Sequence, residues 1–167
     1  APGTKTPGVP LIEDENPRRA LAFISAKFFG PQPETAVAVT GTNGKTSVAG
    51  FTRQIWQALG IRAASIGTLG VLGSDRHETL RHTTPEPIEL HRVLAGLAAD
   101  GVTHVAMEAS SHGLNQSRLD ATRLATAGFT NISRDHLDYH ATDEAYLAAK
   151  MRLFTEVLAA DGVAVIN

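Results

Sequence analysis

Thr40-Gly41-Thr42-Asn43-Gly44-Lys45-Thr46-Ser47 is the stretch that decides the predicted fold. A run of alternating alanine and valine, residues 36–39, leads into it, and a helical pattern follows as far as Leu59. Strand, glycine loop ending in Gly-Lys-Thr, and helix are the parts of a phosphate-binding loop, because glycines let several backbone N–H groups point at one anion beside a helix N-terminus. In such a loop Lys45 reaches the terminal phosphates, and the Thr46 hydroxyl binds Mg²⁺.

One position departs from the general pattern G-x-x-x-x-G-K-[ST]. Val39 occupies the place of the first glycine. The alternative interpretation is a glycine-rich turn between strand and helix that binds nothing. The flanking strand and helix favour phosphate binding, because they lie where that mechanism needs them. We therefore predict that the phosphate contacts come from Gly41, Thr42, Asn43, Gly44, Lys45, Thr46 and Ser47.

Composition excludes several classes of protein. The 167 residues fit one domain, and a hydrophobic content of 43% is enough for a buried core. A net charge of −2 argues against a general nucleic-acid or membrane surface, and the absence of cysteine excludes disulfides and thiolate chemistry. No apolar segment approaches the length of a membrane span. We therefore expect a cytoplasmic protein that binds neither nucleic acid nor membrane.

Strand and helix patterns alternate along the chain. This alternation predicts an α/β fold of the P-loop type, with a mainly parallel sheet and helices on both faces. Predicted helices begin at Pro17, follow the loop to Leu59, open at Pro87 and run over residues 143–158. Predicted strands cover residues 36–40, 63–66, 68–71, 103–107, 124–132 and 162–167, with a hairpin turn at 73–76.

Both ends of the sequence suggest a piece of a larger protein. Residues 1–16 contain three prolines and few apolar side chains, which is typical of a linker between domains. Residues 17–167 form the predicted domain. A terminal strand at 162–167 should lead to a further helix, so we expect this domain to be incomplete at its C-terminus.

Four apolar stripes at helical spacing are expected to face the core. They are Leu21, Ile24 and Phe28; Val48, Phe51, Ile55 and Leu59; Leu90, Val93, Leu94 and Leu97; and Leu147, Met151, Phe154 and Leu158. Lys150 lies on the flank of the last stripe. From spacing alone, we interpret it as a lysine whose stem packs on the apolar surface while its ammonium group reaches water.

Polar side chains follow the predicted strands at their carboxyl ends, where ligands bind in open α/β sheets. Glu108 follows the strand at 103–107 and could hold Mg²⁺ or cap the next helix. Thr83 and Thr84 precede the third helix and could cap it or contact phosphate. His136 and His140 follow the strand at 124–132, where one histidine as a metal ligand is plausible and a zinc site using both is not.

The assembled motifs resemble those of the Mur ligases, which build the peptide of bacterial cell-wall precursors with ATP. The resemblance covers the chain from about residue 15 onward and rests on five segments in order. They are Thr40 to Ser47 as quoted, His82-Thr83-Thr84-Pro85, Met107-Glu108-Ala109-Ser110-Ser111-His112-Gly113-Leu114, Asp135-His136-Leu137-Asp138-Tyr139-His140, and Ala148-Ala149-Lys150-Met151-Arg152-Leu153-Phe154.

The resemblance implies a fold, a reaction and a set of roles. The fold is that of the central ATP-binding domain. The reaction is ATP-dependent addition of a diamino acid, with meso-diaminopimelate favoured over L-lysine, to UDP-N-acetylmuramoyl-L-alanyl-D-glutamate through an acyl phosphate. The catalytic residues would be Lys45, Lys150 and His136. The Mg²⁺ ligands would be Thr46, Glu108, His136 and a carbamylated Lys150, and the UDP-muramoyl contacts would be Thr83, Thr84, Ser110, Gln116 and Arg118.

Two other functions remain open at this point. Folylpolyglutamate synthetase, a relative with a similar loop, is disfavoured by Thr83-Thr84-Pro85 and by Ser110-Ser111-His112-Gly113. A nucleotide-binding module without catalysis is disfavoured by the metal-binding side chains outside the loop. Because the Mur ligases have further domains for uridine and amino acid, we expect the isolated chain not to ligate.

Overall fold

The structure, a computed structural model, describes residues 8–73, 75–133 and 139–167. The helices are α1 (Pro17–Phe29), α2 (Lys45–Ala58), α3 (Pro87–Ala99), α4 (Ser111–Asn115) and α5 (Asp143–Arg152), and α5 continues as a π-helical turn (Leu153–Val157). The strands are β1 (Thr35–Thr40), β2 (Ala63–Gly67), β3 (Gly70–Leu72), β4 (His77–Glu78), β5 (His104–Glu108), β6 (Leu124–Phe129) and β7 (Leu158–Ile166). Within these described ranges, no helix is long and apolar enough to cross a membrane.

The seven strands form one sheet in the order β4-β3-β2-β5-β1-β6-β7. Neighbours among β2, β5, β1, β6 and β7 are parallel, whereas β3 and β4 join as an antiparallel hairpin extension. The predicted mainly parallel α/β sheet is therefore confirmed, including the hairpin. Because β1 lies between β5 and β6, the loop after β1 emerges at the middle of the carboxyl edge of the sheet.

Helices cover both faces of the sheet. Alternate residues of β1 point to opposite sides, so Ala36 and Ala38 pack with α3 whereas Val39 packs with Ala49 of α2. The predicted inner stripe of α3 is confirmed, because all four of its apolar side chains are buried. The larger core therefore lies on the α3 side, and α2 forms a smaller layer on the other side.

The apolar stripes predicted for α1 and α2 do not face the core. Phe28 is 80% exposed on α1, and Phe51 and Ile55 are 61% and 60% exposed on α2. The small residues Ala22 and Ala49 are buried instead. A helix approaches its neighbours closely through small side chains, so the buried face is the alanine face. The prediction was wrong because it weighted the largest apolar residues.

The last helix also differs from its prediction. Its α-helical part ends at Arg152, a π-helical turn follows, and β7 begins at Leu158, earlier than predicted. Tyr146 and Lys150 are buried, whereas Leu147 of the predicted inner stripe is exposed. The helix therefore presents a tyrosine and a lysine to the interior. A π-helical turn is a feature that apolar periodicity alone does not reveal.

Burial of His91 on α3 gives the stability of the fold a pH dependence. Desolvation lowers the pKa of His91 below its ordinary value, and the hydrogen bond of Nε2 with the Asp120 carbonyl, 3.4 Å long, opposes this only in part. Below about pH 6.5 the unfolded imidazole binds a proton that the folded one does not, so the free energy of unfolding falls as pH falls. Urea unfolding at a series of pH values measures the slope of the unfolding free energy against pH. We expect His91→Gln to reduce it and His77→Gln, an exposed control, to retain it; an unchanged slope in His91→Gln would contradict the assignment.

Candidate functional site

The loop between β1 and α2 is shaped to surround an anion. Gly41 and Gly44 adopt φ values of 142° and 87°, a region that favours glycine. A Cβ atom on Gly41 would lie 1.9 Å from Oγ1 of Thr130. No side chain caps the N-terminus of α2. Its first N–H groups and its dipole are therefore oriented toward the space enclosed by the loop.

Val39 has a structural explanation that the loop pattern does not provide. Its side chain is buried against α2, and its carbonyl accepts a 2.9 Å hydrogen bond from the N–H of Ala109. The residue is thus an ordinary part of β1, which continues to Thr40 before the chain turns at Gly41. Glycine is not required at a position that is still in the strand.

Residues that follow β6 hold the loop from one side. The N–H of Thr42 donates to the Asn131 carbonyl at 2.9 Å, and the N–H of Asn43 donates to Asn131 Oδ1 at 3.0 Å. The Thr130 hydroxyl donates to the Asn43 carbonyl at 2.7 Å, and the N–H of Ser133 donates to the Thr42 hydroxyl at 2.9 Å. These bonds explain why β6 ends at Phe129, earlier than predicted: the next residues hold the loop instead of extending the sheet.

Two lysines meet at the Gly41 carbonyl. Lys45 Nζ donates to it at 2.8 Å and to the Thr42 carbonyl at 2.9 Å. Lys150 Nζ reaches the same Gly41 oxygen at 2.9 Å, from a side chain that is 1% exposed. The interpretation of Lys150 as a lysine reaching water is therefore wrong. Two ammonium groups converge on this loop, which favours an anionic ligand there.

Glu108 joins the loop to the neighbouring strand β2. Its side chain is 3% exposed, and Oε2 accepts hydrogen bonds from the hydroxyls of Thr46 at 2.9 Å and Thr68 at 3.2 Å. The N–H of Thr68 donates to Oε1 at 2.9 Å. Glu108 does not cap α4, because Ser110 does so through the N–H of Gly113. The carboxylate therefore lies beside the residue that would bind a metal in a phosphate loop.

Gly67 makes the close approach of this carboxylate possible. A Cβ atom at Gly67 would lie 2.1 Å from Oε1 of Glu108 and 2.6 Å from its Cδ. Sequence reasoning missed both Gly67 and Thr68 as site residues. The available signal was their position at the carboxyl end of β2, the same edge of the sheet that Glu108 reaches from β5.

Thr84 connects the start of α3 to the segment after β5. Its hydroxyl donates to the Glu108 carbonyl at 2.9 Å, accepts from the N–H of Ser110 at 2.9 Å, and lies 3.0 Å from the Ser110 hydroxyl. The capping interpretation is wrong for Thr84, because Glu86 occupies the cap position of α3 without a side-chain bond. Thr83 lies nearby, with its hydroxyl 3.1 Å from that of Thr68.

Arg118 provides a largely buried cation beside these hydroxyls. It donates to the Thr84 carbonyl at 2.8 Å and pairs with Glu86 at 2.7 Å. It also donates to Gln116 Oε1 at 2.7 Å, and the Gln116 amide donates to the Tyr139 hydroxyl at 3.0 Å. This hydrogen bond is the main cause that lowers the pKa of Tyr139. Arg118 is therefore fixed in orientation before any ligand arrives.

One cavity of about 510 Å³ collects most of the predicted site residues. Its lining consists of Thr42, Asn43, Gly44, Lys45, Thr46, Thr68, His82, Thr83, Thr84, Glu108, Ser110, Ser111, His112, Arg118 and Lys150. Ser47 instead lines a neighbouring cavity of about 240 Å³, and Gln116 bonds two lining residues, Arg118 through its side chain and His112 through its backbone N–H. His136 lies outside the described residues. Besides Thr68, the sequence analysis did not assign His82, Ser111 or His112 to the site.

The candidate metal ligands at this place are oxygen atoms. They belong to the carboxylate of Glu108 and to the hydroxyls of Thr46 and Thr68. Mg²⁺ is commonly held by one or two carboxylates together with substrate phosphates, so these residues fit that ion. Over the three described ranges, no group of three His, Cys, Asp or Glu side chains could hold a metal.

Most of the chain matches a known protein family. The model of the Mur ligase middle domain matches residues 39–167. This chain belongs to the Mur ligase family. In this Mur ligase domain, the matched region contains every residue that lines the cavity described above.

Similar proteins narrow the assignment within the family. The UDP-N-acetylmuramoyl-L-alanyl-D-glutamate--2,6-diaminopimelate ligase of Brucella melitensis biotype 1 is 60% identical over 159 residues, which are 95% of this chain and 33% of that ligase. The ligase of the same name from Rhizobium meliloti is 58% identical over 167 residues, covering 98% of this chain and 34% of the ligase. The chain thus spans about a third of the length of these relatives.

Solved structures also resemble this domain. A structure of a ligase of this name superposes with a TM-score of 0.77 and 38% identity, covering 90% of this chain and 30% of that chain. Folylpolyglutamate synthase of Mycobacterium tuberculosis, complexed with ADP, superposes with a TM-score of 0.71 but only 19% identity, covering 90% of this chain and 41% of that one. The second likeness shows the shared fold alone.

Proposed function

We propose that residues 17–167 form the ATP-binding domain of a ligase, with residues 1–16 as a linker. The ligase adds meso-diaminopimelate to UDP-N-acetylmuramoyl-L-alanyl-D-glutamate through an acyl phosphate. One observation carries the proposal: a single cavity contains the phosphate loop, the buried Glu108 and the oriented cation of Arg118. The names of the relatives that are 58–60% identical support the choice of substrates.

The loop binds the phosphates of ATP in this proposal. The N–H groups at the start of α2 donate to phosphate oxygens, and Lys45 exchanges its two carbonyl partners for a phosphate oxygen. Asn131 keeps the loop backbone in place during this exchange, because its bonds to Thr42 and Asn43 do not involve the ligand. Preorganised donors of this kind stabilise charge that develops during phosphate transfer.

Mg²⁺ would be held by Thr46 and Glu108, with His136 and a carbamylated Lys150 as further ligands. When bound, this ion neutralises phosphate charge and orients the transferred group. Carbamylation requires the neutral amine of Lys150, which attacks CO₂, forms an N–C bond and releases a proton. The product is a carboxylate where an ammonium group was. Burial of Lys150 favours the neutral amine that this reaction needs.

The substrate side of the cavity positions the muramoyl peptide. Thr83, Thr84, Ser110 and Arg118 offer hydroxyl and guanidinium donors, and Gln116 holds Arg118. The D-glutamyl side-chain carboxylate attacks the γ-phosphorus of ATP, and ADP leaves. The amine of the amino acid then attacks the acyl carbon, and the tetrahedral intermediate expels phosphate as the amine loses a proton. Cations in the cavity offset the repulsion between two anionic substrates.

A chimeric ligase tests this proposal directly. In it, this chain replaces the matching third of the Brucella melitensis ligase. We expect ATP-dependent formation of the tripeptide product with meso-diaminopimelate, and a loss of roughly 10²-fold or more in the Lys45→Ala chimera. Lys27→Ala, an exposed lysine on α1, is the control. A folded chimera that binds the muramoyl peptide but makes no product would contradict the proposal.

A further inference from the structure

Tyr146 lies between the phosphate loop and the buried lysine of α5. Its side chain is almost completely buried, although it carries a polar hydroxyl. Tyr146 precedes Lys150 by one helical turn, so the two side chains lie on the same face of α5. Lys150 Nζ lies 4.2 Å from the centre of the Tyr146 ring, so the ring packs against the end of the lysine side chain. The ring therefore forms one wall of the space that the Lys150 side chain occupies.

The hydroxyl of the same tyrosine reaches the phosphate loop. It lies 3.3 Å from Oγ1 of Thr42, which also bonds the N–H of Ser133. Lys150 contacts the adjacent residue of the loop, through the carbonyl of Gly41. Helix α5 thus contacts the loop through two side chains: Lys150 at Gly41 and Tyr146 at the next residue. These two side chains also contact each other. A shift of the tyrosine would move both contacts.

We propose that Tyr146 is a positioning residue: its ring holds the Lys150 side chain against the phosphate loop, and its hydroxyl fixes the distance between α5 and Thr42. This inference rests on the proposed function, because it assigns Tyr146 a role in phosphate transfer through Lys150. Tyr146 is not among the residues that line the cavity of about 510 Å³. Its replacement should therefore lower kcat while leaving KM for ATP nearly unchanged.

A double-mutant cycle in the chimeric ligase tests the ring. We expect Tyr146→Leu to lower kcat roughly 30-fold with KM for ATP within about 3-fold, since small misplacements of reacting groups carry costs of this order. In a Lys150→Ala background, followed by single-turnover formation of labelled product, the same change should have less than about 3-fold effect. Leu147→Ala, on the exposed side of α5, is the control and should leave kcat unchanged.

Tyr146→Phe tests the hydroxyl in a variant that keeps the ring and its packing. We expect kcat to fall about 3-fold, and the fall to disappear in a Thr42→Val background that lacks the partner hydroxyl. If the Tyr146→Leu variant does not fold, the Tyr146→Phe measurements alone test the role of Tyr146. Equal losses in the presence and absence of Lys150 and of the Thr42 hydroxyl would mean that Tyr146 has a structural role only, and would overturn the inference. Full activity of Lys150→Ala would instead contradict the proposed function.

Discussion

Glu108→Gln is expected to lower kcat of the chimeric ligase by roughly 10²- to 10³-fold. The substitution keeps the shape of the side chain and removes its charge. The Thr46 and Thr68 hydroxyls that donate to Oε2 retain a neutral partner, so the free energy of unfolding should change by only about 1 kcal/mol. The large effect on turnover has another cause: in the proposed site this carboxylate holds the divalent ion beside the phosphates.

The control for this prediction is Glu34→Gln. Glu34 is exposed and lies just before β1, away from the carboxyl edge of the sheet. We expect turnover and stability to match those of the parent chimera. Measurement of kcat at saturating substrate, with urea unfolding of each variant, separates the two effects. A Glu108→Gln variant that is folded and turns over at the parental rate would show that the carboxylate has no part in phosphate transfer.

Gly67→Ala is expected to lower kcat by about 10²-fold without any change in a titratable group. The backbone at Gly67 has no unusual conformation, so the effect is steric. The new Cβ would lie 2.1 Å from Oε1 and 2.7 Å from Cγ of Glu108, and the carboxylate must therefore move away from Thr46 and Thr68. Kinetic measurement on the chimera, with thermal unfolding to show that it is folded, tests this.

Two comparisons sharpen the glycine prediction. Gly50→Ala places a methyl group in open space within α2, and we expect it to preserve kcat while stabilising the fold by about 0.5–1 kcal/mol. Gly67→Ala combined with Glu108→Gln should cost little more than Glu108→Gln alone, because both changes remove the same carboxylate from the site. Multiplicative losses in the double variant would point to a separate role for Gly67.

Local signals predicted the parts of the fold that depend on local chemistry. The order of strand, glycine loop and helix around Lys45 predicted the place of this loop at the carboxyl edge of the sheet. The parallel-sheet rule then predicted that Glu108 would meet the loop, because both follow neighbouring strands. The apolar stripe of α3 was also predicted correctly, because this helix lies over the larger core and buries its large residues.

The features that the sequence did not predict depend on contacts between residues far apart in the chain. The stripe of α2 indicated the wrong face, because a close contact with the sheet at Val39 accommodates Ala49 and not Phe51. Spacing alone favoured a Lys150 that reaches water, whereas its side chain is buried against the loop. This orientation depends on Gly41 and Tyr146, and Gly41 lies 109 positions away in the sequence. Thr68 was missed because its role depends on a carboxylate delivered by another strand.

If this cavity forms an acyl phosphate, an oxygen atom of the substrate carboxylate must end up in the released phosphate. The chimeric ligase is supplied with UDP-N-acetylmuramoyl-L-alanyl-D-glutamate whose side-chain carboxylate carries ¹⁸O at both oxygens, together with ATP and meso-diaminopimelate. An acyl phosphate passes one carboxylate oxygen to phosphate when the amine attacks, so each phosphate released with the product should contain one ¹⁸O atom. Released phosphate without ¹⁸O, in a reaction that still forms the amide, would contradict the account.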